Sequence, residues 1–177
     1  YSTSEACFAM AASLDPKMYQ AWAQLASSLP DISENDLPEE YIEVGEGNKV
    51  NAVIAYTKAL ELDDTDPSLW YNLALVIDGL PAGETTRVVK NLKGKPIWTQ
   101  VELFAKVASL DNRNADAWYA LASAVGDDDV IAVEGLDDKI SKIHCYMYFL
   151  QLKPDSDHIA WYNLGVNLGD KKTAKFN

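Results

Sequence analysis

Apolar positions recur along this chain with helical spacing, in two kinds of segment that alternate. In the first kind, Trp70, Leu73, Ala74 and Ile77 stand at i, i+3, i+4 and i+7, which is one face of a helix. In the second, Val53, Tyr56, Ala59 and Leu60 form another such face. Polar residues mark the starts. Thr3, Asn51, Thr99 and Ser141 each stand eleven residues before a leucine that closes the second kind of segment. Each side-chain oxygen there can accept a hydrogen bond from the first free amides of a helix. Thr99 with Glu102 has the spacing of a capping box. Asp66, Asn114 and Asp157 stand four residues before a tryptophan and can cap the first kind, with Pro67 suited to a first helical position.

The two segments are linked words, and the chain carries four copies of each. Trp22, Trp70, Trp118 and Trp161 lie in Ala-Trp-Ala-Gln-Leu-Ala, Leu-Trp-Tyr-Asn-Leu-Ala, Ala-Trp-Tyr-Ala-Leu-Ala and Ala-Trp-Tyr-Asn-Leu-Gly, at intervals of 48, 48 and 43 residues. Before each comes an aromatic six positions ahead of a leucine: Phe8 to Leu14, Tyr56 to Leu62, Phe104 to Leu110 and Tyr146 to Leu152. The predicted organisation is a second helix over 3–15, helix pairs within 19–63, 67–111 and 115–153, a first helix over 157–169 and a tail over 170–177.

These words resemble the tetratricopeptide repeat over nearly the whole chain. Ala52, Tyr56, Ala59, Leu60, Leu62 and Asp63 match the pattern of that family's second helix, and Trp161, Leu164 and Gly165 match its first. The resemblance implies an all-α fold, an α-solenoid of antiparallel helix pairs. It also implies protein or peptide binding on the concave face of the first helices. The positions there follow each tryptophan by one, two and five residues. The candidate groove is Tyr71, Asn72, Leu75, Tyr119, Ser123, Tyr162, Asn163 and Val166, with Ala23, Gln24, Ser27 and Ala120 at the equivalent places. Tyr gives contact area plus one hydroxyl, which suits peptide recognition. The same tyrosines are ordinary family consensus and can instead pack on the next helix. None of the groove positions is Lys or Arg, so a clamp for an acidic peptide terminus is not expected.

The family period is roughly 34 residues. The surplus of 14, 14 and 9 residues lies between the two helices of each pair, in 30–50, 78–98 and 126–140. Each surplus segment holds a β-type run, a glycine turn and a return run. The paired runs are Ile42–Val44 with Lys49–Val50, Arg87–Lys90 with Ile97–Trp98, and Val130–Val133 with Lys139–Ile140. Gly47, Gly94 and Gly135 supply the turns. Pro96 fits only where the ladder needs no donor. Packed helices lie roughly 8–10 Å apart and neighbouring strands about 4.8 Å. The hairpins could therefore join into one sheet along an edge of the solenoid, or stand as three separate hairpins.

Composition adds constraints. The chain has 27 acidic and 15 basic residues, a net charge of -12, so it is not expected to bind nucleic acid and would favour a cationic partner. No run of eighteen apolar residues occurs, and no membrane span is expected. Two cysteines, Cys7 and Cys145, and no Asn-x-Ser/Thr sequon lean towards a reducing compartment such as the cytoplasm. The cysteines occupy equivalent places just before the aromatic, three repeats apart, where buried packing is expected. His144 and His158 lack partners at zinc-ligand spacing, and Asp127-Asp128-Asp129 lacks the alternation of a calcium loop. Gly45 and Gly47 belong to a turn and not to a phosphate-binding loop. No catalytic residue, metal or cofactor is therefore expected, and the function class is a protein-interaction scaffold. The ends suggest an alternative. The chain opens on a second helix and closes on a first one. A head-to-tail filament of such copies, with the partner being the chain itself, would space Trp161 and the next Trp22 by 38 residues. A piece of a longer array would have the same ends, and both readings stand.

Overall fold

In the computed structural model, which describes residues 3–29, 42–45, 47–78, 88–155 and 158–169, helices and hairpins follow one another in a fixed order. Helices α1 (Ser4–Leu14) and α2 (Tyr19–Ser28) precede strands β1 (Ile42–Val44) and β2 (Asn48–Val50). Then come α3 (Ala52–Leu62), α4 (Pro67–Asp78), β3 (Val88–Leu92) and β4 (Lys95–Thr99). The last set is α5 (Gln100–Leu110), α6 (Ala115–Ala124), β5 (Val130–Ile131), β6 (Ile140–Ser141), α7 (Lys142–Leu152) and α8 (His158–Leu168). The described chain is thus mostly helical, with three small two-stranded sheets. The expected cap Asp157, the strand residue Arg87, the linker 30–41 and the tail 170–177 lie outside the described residues.

Two compact units make up the chain, residues 1–103 and 104–177, with the boundary inside α5. In the first, α1 packs on α2, α2 on α3 and α3 on α4; in the second, α7 packs on both α6 and α8. The faces that meet follow the stripes read from the sequence with one exception. Trp70, Leu73, Ala74 and Ile77 are buried on α4, as are Tyr56, Ala59 and Leu60 on α3, where the expected Val53 is only half-buried and Ala55 is buried instead. Trp118, Leu121 and Ala122 are buried on α6.

The strands end where the helices begin because an N-cap residue has extended backbone angles. Asn51 (φ -109°, ψ 178°) follows β2, and its side chain accepts from Ile54 N–H at 2.9 Å. Thr99 closes β4 and forms the expected capping box, accepting from Glu102 N–H at 3.3 Å while Glu102 accepts from Thr99 N–H at 2.9 Å. Thr3 caps α1 through Ala6 N–H. Ser141 closes β6 with a variant: its N–H donates to His144 Nδ1 at 3.2 Å, so an imidazole takes the usual glutamate's place.

Each hairpin is antiparallel and closed by positive-φ residues. Lys93 (φ 51°) and Gly94 (φ 73°) form the two-residue loop of β3–β4, a turn that needs left-handed backbone at both positions. Register runs Val88↔Thr99, Val89↔Trp98, Lys90↔Ile97 and Leu92↔Lys95, and the ladder skips Pro96, which has no N–H. The third hairpin is shorter than the expected run to Val133. Val133 leaves the ladder to bury its side chain and to accept from Leu136 N–H at 3.0 Å.

A sheet joining the hairpins does not form among the described residues, where every strand pairs only within its own hairpin. The reason lies in what each hairpin faces. The first two lie back on the second helix of the repeat before them: β1 packs on α1 and β3 on α3. Lys93 Nζ reaches Glu61 O and the Asp64 carboxylate at 3.4 Å, and Lys106 on α5 holds Glu134 of the third hairpin at 2.9 Å. Val44, Val50, Val89 and Leu92 are buried, so the first two hairpins take their apolar cover from a helix.

Two measurements follow from this core. Truncating Trp118, 1 % exposed, to Ala should lower stability by about 3–5 kcal/mol. Trp161→Ala, starting from 48 % exposure, should cost far less in the same denaturation assay. The second concerns pH. Partial burial of Glu102 opposes its ionisation, but bonds from Lys95 and from Thr99 outweigh it and hold the carboxyl below the usual 4.5. The stability from its ionised form is complete above that value and is lost as pH falls through the lowered one. The midpoint difference between wild type and Glu102→Gln should therefore be flat near neutrality and shrink on acidification below 4.5.

Candidate functional site

The repeated tryptophan fixes how each first helix leaves the turn before it. Trp22 Nε1 donates to Pro16 O at 3.0 Å, Trp70 to Asp64 O at 2.9 Å and Trp118 to Asn112 O at 2.9 Å, each six residues back. In the fourth copy the turn is one residue longer, and Trp161 reaches Pro154 O at 3.3 Å. The acceptor is always the residue two past the repeated leucine. The Asp between them tightens the turn: Asp15, Asp63 and Asp111 each accept from the backbone N–H two residues on. Asp63 also accepts from the Thr65 hydroxyl, and these bonds hold its carboxyl below the usual range.

With the tryptophan anchored, the other positions of each first helix take fixed places. The position five residues after it is exposed in all four copies: Ser27, Leu75 (47 %), Ser123 and Val166 (61 %). The position one residue after it varies. Ala23, Tyr71 and Tyr119 are half-buried, whereas Tyr162 is 70 % exposed. Asn72 and Asn163 are half-buried and Gln24 is exposed. Within the second unit, the Tyr119 ring meets Tyr146 edge-on at 5.9 Å and Phe149 at 5.2 Å, both on α7. This tyrosine serves the packing of the next helix, the second of the roles its position allows. Trp118 stacks on Tyr148 of the same helix at 4.6 Å.

Residues singled out for chemistry have local duties. Asp127 is held by Lys142 at 2.6 Å, and His144 caps α7. That cap was hidden from sequence reasoning because Ser-x-x-His does not match the Ser-x-x-Glu pattern. Trp98, unassigned by the repeat, packs on Trp70 at 4.9 Å, donates to Leu92 O and carries Lys95 over its ring at 4.4 Å. The described residues contain no cluster of three His, Cys, Asp or Glu placed to hold a metal, and no helix long and apolar enough to cross a membrane.

Two cavities occupy matching helix faces. One of about 430 Å³ lies between Ala6, Ala9, Met10 and Ser13 of α1 and the β1 residues Ile42 and Glu43. The other, about 320 Å³, lies between His144, Met147, Tyr148 and Gln151 of α7 and residues 136–140. The four helix positions are equivalent in the two repeats, so both cavities are gaps left where a hairpin segment meets a second helix.

The cysteines differ, against the expectation that both are packed. Cys145 is fully buried on α7, and burial pushes its thiol up to about 12. Cys7 is exposed, because among the described residues no helix covers that side of α1. A thiol reagent should therefore label one thiol per native chain at neutral pH and a second only in denaturant.

Compared with known proteins, the chain matches no family model, and no curated protein matches it either.

Proposed function

We propose that this protein is a non-catalytic protein-interaction scaffold of the tetratricopeptide type, its helix pairs stacking as an α-solenoid and its first-helix faces presented to a protein or peptide partner. The observation that carries the reading is the fourfold equivalence of the first helices. Each is anchored by an indole N–H on the preceding turn, and each leaves the position five residues later exposed. Leu75 and Val166 are exposed apolar groups at that position, with Tyr162 beside the latter. Exposed apolar side chains on rigid helices suit the anchoring of a partner. The charge supports a cationic partner over a nucleic acid.

The titratable groups fit a scaffold as well. The carboxylates with lowered values, Glu5, Asp63 and Glu102, serve a helix start, a turn and a capping box. Each is engaged in local structure, whereas a catalytic acid or base needs a group poised to exchange its proton with a substrate.

Immobilised chain incubated with lysate of the source cells, followed by mass spectrometry, identifies what is retained. A Leu75→Asp, Ser123→Asp double variant changes only exposed positions and should fold normally. Its affinity for the retained partner should fall at least about tenfold, or roughly 1.4 kcal/mol. Unchanged affinity would remove the first-helix face from the binding site.

A further inference from the structure

The start of α7 repeats the start of α5 with one change of chemistry. Thr99 and Glu102 cap α5, and Ser141 and His144 stand at the equivalent positions of α7. At the same third helical position α1 has Ala6 and α3 has Ile54, neither of which can reach back to a cap residue as an acceptor. Glu102, held below the usual 4.5, still accepts in mild acid. An imidazole nitrogen accepts only while it is unprotonated.

The geometry names that nitrogen. His144 Nδ1 accepts from the Ser141 N–H at 3.2 Å and lies 2.9 Å from Ser141 Oγ. A nitrogen that accepts from an N–H carries no proton, so the neutral ring bears its proton on Nε2, and the hydroxyl is a second donor to Nδ1. Protonation of Nδ1 turns this acceptor into a donor aimed at an N–H. It also puts a positive ring in the first turn of a helix, where the backbone dipoles disfavour a cation.

The charged surroundings offer the protonated ring another place. Asp137, Asp138 and Lys139, just ahead of β6, line a cavity together with His144. The neighbouring charges are engaged elsewhere: Lys142 of α7 with Asp127, and Lys106 of α5 with Glu134. On α6, Asp116 meets Lys153 past the far end of α7, and His158 of α8 follows that same end. The carboxylates that share a cavity with the ring are thus Asp137 and Asp138.

We infer that His144 is a two-position proton switch: neutral, it caps α7 through Ser141; protonated, it leaves the cap for the carboxylates of Asp137 and Asp138. Histidine changes charge between about pH 5 and 8, so the switch works in mild acid, where the Glu102 cap does not respond. The cap is present while the ring is neutral and is lost as pH falls. Its loss acts on the joint between the third hairpin and α7, because Ser141 both starts the helix and pairs with Val130 in a ladder of two residue pairs.

Heteronuclear NMR of the full chain, reading the imidazole nitrogens and backbone amide exchange, tests both positions. At about pH 8 the His144 ring should be the Nε2–H tautomer, with the Ser141 amide protected. At about pH 5 the protonated ring should exchange its contacts with Ser141 for contacts with Asp137 and Asp138, and the Ser141 protection factor should fall about fivefold or more. His144→Gln keeps an acceptor that does not titrate, so protection should be equal at both values although His158 remains. Asp137→Asn with Asp138→Asn should leave the cap intact in the neutral state and abolish the new contacts in acid. The Thr99 amide, held by Glu102, should stay protected throughout. An Nδ1–H tautomer in the neutral state, a Ser141 amide equally protected at both values, a protonated ring that stays on Ser141 Oγ, or a His144→Gln chain that loses protection as wild type does would each overturn the proposal. These substitutions leave the first-helix face untouched, so the result is independent of the scaffold reading.

Discussion

The architecture depends on one hydrogen bond repeated four times, from an indole N–H to the backbone carbonyl two residues past a leucine. An unpaired indole N–H inside a helix junction would carry a desolvation penalty of about 1–3 kcal/mol. A carbonyl just past a helix end has likewise lost its intrahelical partner. One contact satisfies both. It also fixes the angle at which the chain re-enters a helix, since the bond spans the turn and the first helical residues together. The ring is then free to fill the space between helices, where Trp70 and Trp118 are almost wholly buried. Tryptophan alone combines that volume with a donor on its edge, which accounts for its presence in all four copies where the neighbouring residues vary.

Much of this was legible in the residues because helix faces and caps are local. The stripe at i, i+3, i+4 and i+7 named the buried face of α4, the stripe on α3 held at Tyr56, Ala59 and Leu60 though not at the half-buried Val53, and Thr3, Asn51 and Thr99 cap where their spacing placed them. The turns at Gly47, Gly94 and Gly135 were readable for the same reason, since left-handed backbone selects glycine at short range. What the hairpins pack against was not readable. Strand spacing is compatible with a joined sheet, and the choice between a neighbouring strand and a neighbouring helix is made by tertiary burial of Val44, Val50, Val89 and Leu92. Burial of the two cysteines escaped sequence reading in the same way. Cys7 and Cys145 share a place in the repeat, and they differ only through a helix that covers one and not the other.

The candidate binding face shows where a consensus residue divides between two duties. A tyrosine after the tryptophan appears in three copies, yet its surroundings differ. Tyr119 is engaged by Tyr146 and Phe149, whereas Tyr162 stands largely in solvent. The position four residues further on carries no such ambiguity, because it is exposed whatever the neighbouring helix does. Leu75 and Val166 stand there although the packing of their own helices does not require an apolar residue, since Ser27 and Ser123 hold the same place. An apolar side chain that the fold neither buries nor needs is more informative about recognition than an aromatic that the fold uses.

The same reasoning separates the two kinds of exposed surface on α8. Val166 is exposed as its equivalents are, so its exposure is a property of the repeat. Trp161 and Gly165 are exposed while their equivalents are buried, so theirs is a property of this helix alone. The indole of Trp161 keeps its bond to Pro154 O, at 3.3 Å, so the anchor forms without the cover that accompanies it elsewhere. Anchor and cover are thus separate interactions: the first is set by the turn before the helix, the second by the helix that packs on it, as α7 does on α6. A repeat built this way can position a first helix correctly before any second helix covers its face.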